Sequence, residues 1–360
     1  MMETILRTLA VLIGVIGVFV YFRSIVRTTL LNRREPDLIA DTCRKVAANI
    51  VHGIAGNREY SEVQGLQAWI LPIFIFLIVT AWFLLVQFSF SLIIWGPHIE
   101  PGWPRALSSS GSALSTLGYL TPSSLVGEYL AIYEAAIGLA IVILIFTFVP
   151  GYQTAVQTRE RKVAWVFART GMHPNCVSLL EALTKAGPVN DRAIWEDLES
   201  WFRGIYETHS TAPILAYVPS VYQNTSWLGT AGAVLDTASL VLTTIDVEDT
   251  DAVRLCRETG VATIRMIADD VGGDPWSARS PFTSDSAKLV AGFDALYDKL
   301  TELGLPLKKD KKQCCDDLVA LRSDYEANVH RIAVSTLMPV QVPWAVAHAP
   351  VGAQLQSVSS

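Results

Sequence analysis

The chain has 360 residues, 51% of them hydrophobic and 17% charged, with a formal net charge of −6. That balance leaves no basic footprint for DNA or RNA, so nucleic acid is excluded as a partner. The length allows two or three domains. The apolar residues gather before residue 150, so the chain reads as half membrane protein and half helical domain.

Residues 4–22 form the first apolar run, unbroken from Leu9 to Phe22. Arg7 stands near its start; Arg23, Arg27, Arg33 and Arg34 come after it. A signal peptide competes for so short a run, but no small-residue cleavage site succeeds it, and the arginines should stay on the cytoplasmic side. The expectation is an N-terminal transmembrane anchor over 1–24, its N-terminus outside. A cytoplasmic amphipathic linker is expected over 25–65, most clearly as a helix over 37–55. There Leu38, Ile39, Cys43, Val46, Ile50 and Ile54 share a stripe, and Asp41, Arg44, Lys45 and His52 take the other face. This helix could lie on the membrane, pack on the spanning helices or simply connect.

From Val63 to Ile99 there is no Asp, Glu, Lys or Arg. That is more than a bilayer of about 30 Å requires, and it predicts an outer span over 67–96. Pro72 falls near its beginning, where proline costs least, and Trp69 and Trp95 suit the two interfaces. Trp103-Pro104 then opens a short helix over 104–115. A second span is expected over 125–149, terminated or bent by Pro150-Gly151. Glu128 and Glu134 are the only charges between Arg105 and Arg159. Arg159, Arg161, Lys162 and Arg169 place the C-terminal half of the chain in the cytoplasm.

Between the two spans lies Ser112-Ala113-Leu114-Ser115-Thr116-Leu117-Gly118-Tyr119-Leu120-Thr121-Pro122, small, hydroxyl-rich and uncharged. Over 66–150 the chain resembles the two-helix, pore-loop potassium-channel family, in which a pore helix runs into a Thr-Val-Gly-Tyr-Gly filter. Leu120 stands where that family has its second filter glycine, and Thr121 where it has an acid. The resemblance implies a homotetramer whose filter, Thr116, Leu117, Gly118, Tyr119 and Leu120, offers carbonyls of an extended backbone to a dehydrated monovalent cation, potassium foremost. Ser112 and Glu134 would support the filter, Tyr119 would brace it from behind, and Glu128 would draw cations to the outer mouth. Gly138 is an inner-helix hinge or a close-packing residue, and Val142, Phe146 and Thr147 would line the pore below it.

The whole is expected to be an all-α membrane protein: anchor helix, two-helix/pore-loop module, then a helical cytoplasmic domain over 151–338 and a flexible tail over 339–360. It is read as a non-enzymatic, multi-pass inner-membrane cation channel, with the lipid bilayer, its own copies and the permeant ion as partners, and no cofactor. The alternative is a non-conducting sensor or scaffold that keeps the pore fold. In the cytoplasmic half, Ile194, Trp195, Leu198, Trp201, Phe202 and Ile205 fall at helical spacing after Asp191. Trp227 to Ile245, with Asp236 at its centre, reads as a buried core helix rather than a fourth span. Helices are also expected over 251–270, 284–303 and 311–337. The pattern from Glu207-Thr208-His209-Ser210 to Ala231-Gly232-Ala233-Val234-Leu235-Asp236 is similar to that of bacterial channel-like proteins. Glu207 with His209 could ligate metal but better suits a helix end; Asp246, Glu248, Asp249 and Asp251 lack the glycine and closing glutamate of a calcium loop. Cys43, Cys176, Cys256, Cys314 and Cys315, an odd count on the reducing side, should be free thiols.

Overall fold

A computed structural model describes residues 2–31, 35–56, 58–122, 124–171, 174–271, 282–339 and 342–348. Arg33, Arg34 and the tail from 349 onward, with Pro350, lie outside the described residues. The described chain is helical: its only β pairing is an isolated bridge between Ile245 and Leu307. It divides into two units, Met1–Asn49 with Leu71–Thr154, and Ile50–Ile70 with Ala155–Ser360. Three helical stretches, Met2–Leu30, Tyr60–Trp95 and Leu125–Thr170, contain apolar runs long enough to cross a membrane.

In the first unit, α1 (Met2–Ile25) runs into a π-helical turn, Val26–Leu30. It lies antiparallel to α4 (Ile70–Trp95). Arg7 at its start donates to Trp95 O at 2.8 Å, while Ser24 at its end accepts from Trp82 Nε1 at 3.0 Å. Small residues let the two backbones approach. A Cβ on Gly14 would sit 2.6 Å from Ser89 O, and one on Gly17 2.1 Å from Ser89 Oγ. Without a hydrophobic drive inside lipid, such close packing is what associates helices. So α1 is a member of the bundle as well as an apolar anchor.

Helix α2 (Leu38–Ala55) corrects the expected stripe. Cys43, Arg44, Ala47, Ala48, Val51, His52 and Ala55 are buried, and Leu38, Val46, Ile50 and Ile54 are exposed. The face rich in alanine permits close approach, and the larger apolar residues of the expected stripe stay outside it. Helix α3 (Tyr60–Gln67) comes next.

Helix α5 (Trp103–Leu114) starts with proline in its first turn, as the sequence predicts. Helix α6 runs from Leu125 to Thr170 with Pro150 inside it, so of the two outcomes expected at Pro150-Gly151, a stop or a bend, the stop does not occur. A proline removes one backbone donor, a loss a long helix survives by local adjustment.

In the second unit α7 (Cys176–Ala186), α8 (Arg192–Thr211), α9 (Trp227–Thr243), α10 (Asp251–Val271), α11 (Ser286–Glu302), α12 (Lys311–Ser323) and α13 (Glu326–Thr336) build a helical domain. Side chains cap several of these helices: Asn175 pairs with Ser178 in a capping box, and Asp191 accepts from Ala193 N and Ile194 N. Helix α9 is buried nearly all round. Its Asp236 bonds to Arg322 Nη1 and accepts from Tyr325 Oη at 2.6 Å. The helix expected over 311–337 is broken in two at Asp324 and Tyr325, the residue that reaches this carboxylate. Within the stretch 339–360, expected as a tail, Trp344–Ala347 are helical. The short α14 (Trp344–Ala347) buries Ala345 and Val346, and the Ala345 carbonyl lies where a Cβ on Gly292 of α11 would be. All five cysteines are buried free thiols.

Candidate functional site

The end of α5 and the residues up to Leu120 form one hydrogen-bonded unit. Thr116 N donates to Ala113 O at 2.9 Å; Leu117 N and Gly118 N both donate to Ser112 O, at 3.0 and 3.2 Å. Leu120 N donates to Ser112 Oγ at 3.0 Å. The peptides here are trans, so each carbonyl points opposite to the N–H of its own plane. The carbonyls of Ser115, Thr116, Leu117 and Tyr119 therefore face away from the end of α5. Among the described residues no hydrogen bond ends on them.

The backbone is not the expected extended strand. Thr116 has φ 59° and Gly118 φ 67°, while Leu117, Tyr119 and Leu120 are absent from the left-handed region. Alternating φ signs set successive amides on one side and successive carbonyls on the other, the arrangement that makes a polar concavity of main chain. Glycine takes the left-handed conformation freely at 118, but a β-branched threonine at 116 is an outlier costing roughly 1–3 kcal/mol. Leu120, whose Cβ could have obstructed the turn, adopts no left-handed angle.

The sides of Thr116 to Tyr119 not held by α5 are open: Leu117 is 72% and Tyr119 68% exposed. Tyr119 Oη donates to Ser108 O at 3.4 Å, a long bond for the predicted brace. Ser112 is fully buried and holds the loop amides through both its carbonyl and its hydroxyl.

Behind the loop a polar cluster ties three helices. Glu134 of α6, fully buried, bonds to the Ser110 hydroxyl of α5 through Oε1. Ser110 Oγ also lies 2.9 Å from Gln87 O of α4, and Gln87 Nε2 donates to Leu107 O at 3.3 Å. A serine hydroxyl has one proton, so both Ser110 contacts are hydrogen bonds only when Glu134 supplies a proton of its own. Glu134→Gln, whose amide can donate in the same place, is expected to keep the protein folded. Glu134→Ala should lower its detergent-solubilised melting temperature by several degrees, and equal melting of the two variants would refute the assignment.

Gly138 packs directly on the end of α5: a Cβ there would lie 1.9 Å from Leu114 O. Close packing is thus its structural role, and α6 is helical through it. Val142, Phe146 and Thr147 are exposed along α6. Glu128 is exposed in the first turn of α6, where negative charge suits the helix dipole, and takes no part in the contacts that hold the loop. Sequence reasoning missed Gln87, although an amide in the middle of a charge-free span is itself a signal of an interhelical bond.

In the second unit His209 is buried, its Nδ1 donating to Ile205 O at 3.0 Å, while Glu207 is exposed. Burial, then the nearby Arg159 charge, pushes the His209 pKa down to about 3. No cluster of three metal-ligating side chains occurs among the described residues. Comparison with protein-family models, characterised proteins and solved structures finds no match to this chain.

Proposed function

We propose that the chain assembles into a homotetrameric cation channel, potassium-channel-like in plan, that passes monovalent cations along Thr116, Leu117, Gly118, Tyr119 and Leu120. The observation that carries the reading is the row of unpaired carbonyls at 115, 116, 117 and 119, all turned from the helix that holds their amides. Such oxygens replace a cation's hydration shell when several copies surround one axis. Non-helical backbone at membrane depth is tolerated only against protein or a water-filled passage, so a lone chain with this loop is incomplete. The exposed apolar residues of α6, among them Leu139, Val142, Ile143 and Phe146, give further copies and lipid a surface to cover. In this reading the N-terminus lies outside the inner membrane, the second unit lies in the cytoplasm, and Glu128 rims the outer mouth.

Purified protein in liposomes should pass potassium above protein-free vesicles, and Gly118→Val should abolish the flux without changing oligomer size. An intact oligomer that passes no monovalent cation would refute it. Such a result would favour a non-conducting sensor or scaffold, which the apolar, exposed Leu117 and the leucine at 120 also suit.

A further inference from the structure

Within the second unit, the stretch leading into α4 and the stretch of α6 after its apolar part meet the same loop, 213–225. From α3, Gln64 Nε2 donates to Ser220 O and Tyr222 O, each at 2.8 Å, and its Oε1 accepts from Asn224 N at 2.9 Å. Tyr60 Oη donates to Thr225 O at 3.1 Å. From α6, Arg159 donates to Leu215 O at 3.0 Å and Val218 O at 2.9 Å. Its neighbour Glu160 accepts from Ser220 Oγ and Val221 N, both at 3.3 Å. Ser220 therefore gives its carbonyl to α3 and its hydroxyl to α6. Tyr222 does likewise, its carbonyl on Gln64 and its ring stacked on Phe167 of α6 at 5.3 Å between centroids. Gln64, Arg159 and Glu160 are all buried.

We propose that loop 213–225 is a clamp that couples the inner approaches of two spanning helices, so that the C-terminal domain holds or releases both together. Its physical basis is the cost of a buried carbonyl left without a donor. Freeing α3 strands the carbonyl of Ser220; freeing α6 strands that of Val218 and takes the Glu160 acceptor away from Ser220 Oγ and Val221 N. Either release loosens the loop on which the other segment depends, and coupling of this kind exceeds the sum of single contacts. It rests on contacts inside one unit and holds whether or not the molecule conducts.

Hydrogen exchange of the full-length protein in micelles tests it with Gln64→Leu and with Ser220→Ala, a gentler change should the first fail to fold. Each is expected to speed exchange in 60–67 and also in 155–167, by about tenfold for Gln64→Leu. Faster exchange in 60–67 and the loop alone, with 155–167 unchanged, would overturn the clamp. Cation flux measured alongside separates the two readings: coupled exchange in a protein that carries no cation keeps the clamp and removes the channel.

Discussion

Gly138→Ala is expected to abolish cation flux and dissociate the pore module's helices, although it adds a single methyl group. That carbon would fall 1.9 Å from Leu114 O, a backbone atom that no rotamer change can move aside. Helix α6 or α5 must shift, and α5 carries Ser112, which holds the amides of Leu117, Gly118 and Leu120. Overpacking of this kind costs roughly 1–3 kcal/mol or more, and here it is transmitted to the carbonyl row itself. Gly151→Ala is the matched control on the same helix. Nothing lies within 4 Å of its added carbon, and alanine favours a helix over glycine by about 1 kcal/mol. Flux and size-exclusion profiles should be near wild type for Gly151→Ala and lost for Gly138→Ala; equal behaviour would refute the packing account.

Asp236→Ala is expected to unfold the C-terminal domain at physiological temperature. Asp236 and Arg322 are both buried, and Tyr325 donates to the same carboxylate oxygen. Truncating Asp236 leaves buried Arg322 with only the Glu326 carboxylate, 3.6 Å away, and removing one partner of such a buried pair costs about 3–5 kcal/mol, a large share of a domain's stability. Asp236→Leu combined with Arg322→Met removes both charges and should recover most of the loss. Chemical denaturation of the three proteins checks this, and a double variant no more stable than Asp236→Ala would contradict it.

Much of the architecture is legible in the sequence because membrane spans are read from long charge-free runs. The three helices long and apolar enough to cross a membrane come from composition, and Trp103-Pro104 places the start of α5. The reversed face of α2 is not legible, since Ala47, Ala48, Val51 and Ala55 carry little hydropathy contrast yet permit close packing. The intimate fit of α1 on α4 has a signal in Ala10, Gly14 and Gly17, spaced four and three apart, but a partner helix cannot be inferred from one helix alone. At the loop, Gly118 announces a left-handed residue and Ser112 its support. Thr116 does not, because nothing local predicts a β-branched residue at φ 59°. The four amides bonded to the end of α5 impose that angle, and those bonds exist only in the folded module. Pro150 leaves a stop and a bend both open for a related reason: a missing donor marks where a helix can stop, and the residues around it determine whether it does.

The central claim is that copies of Ser115 to Tyr119 turn their carbonyls toward a common axis. A single-particle structure of the detergent-solubilised protein in potassium tests it most directly. The expected image has fourfold symmetry, the carbonyls of 115, 116, 117 and 119 around the axis, and ion density between them. A monomer, or an assembly in which Thr116 to Leu120 face lipid or bulk solvent, would contradict the account.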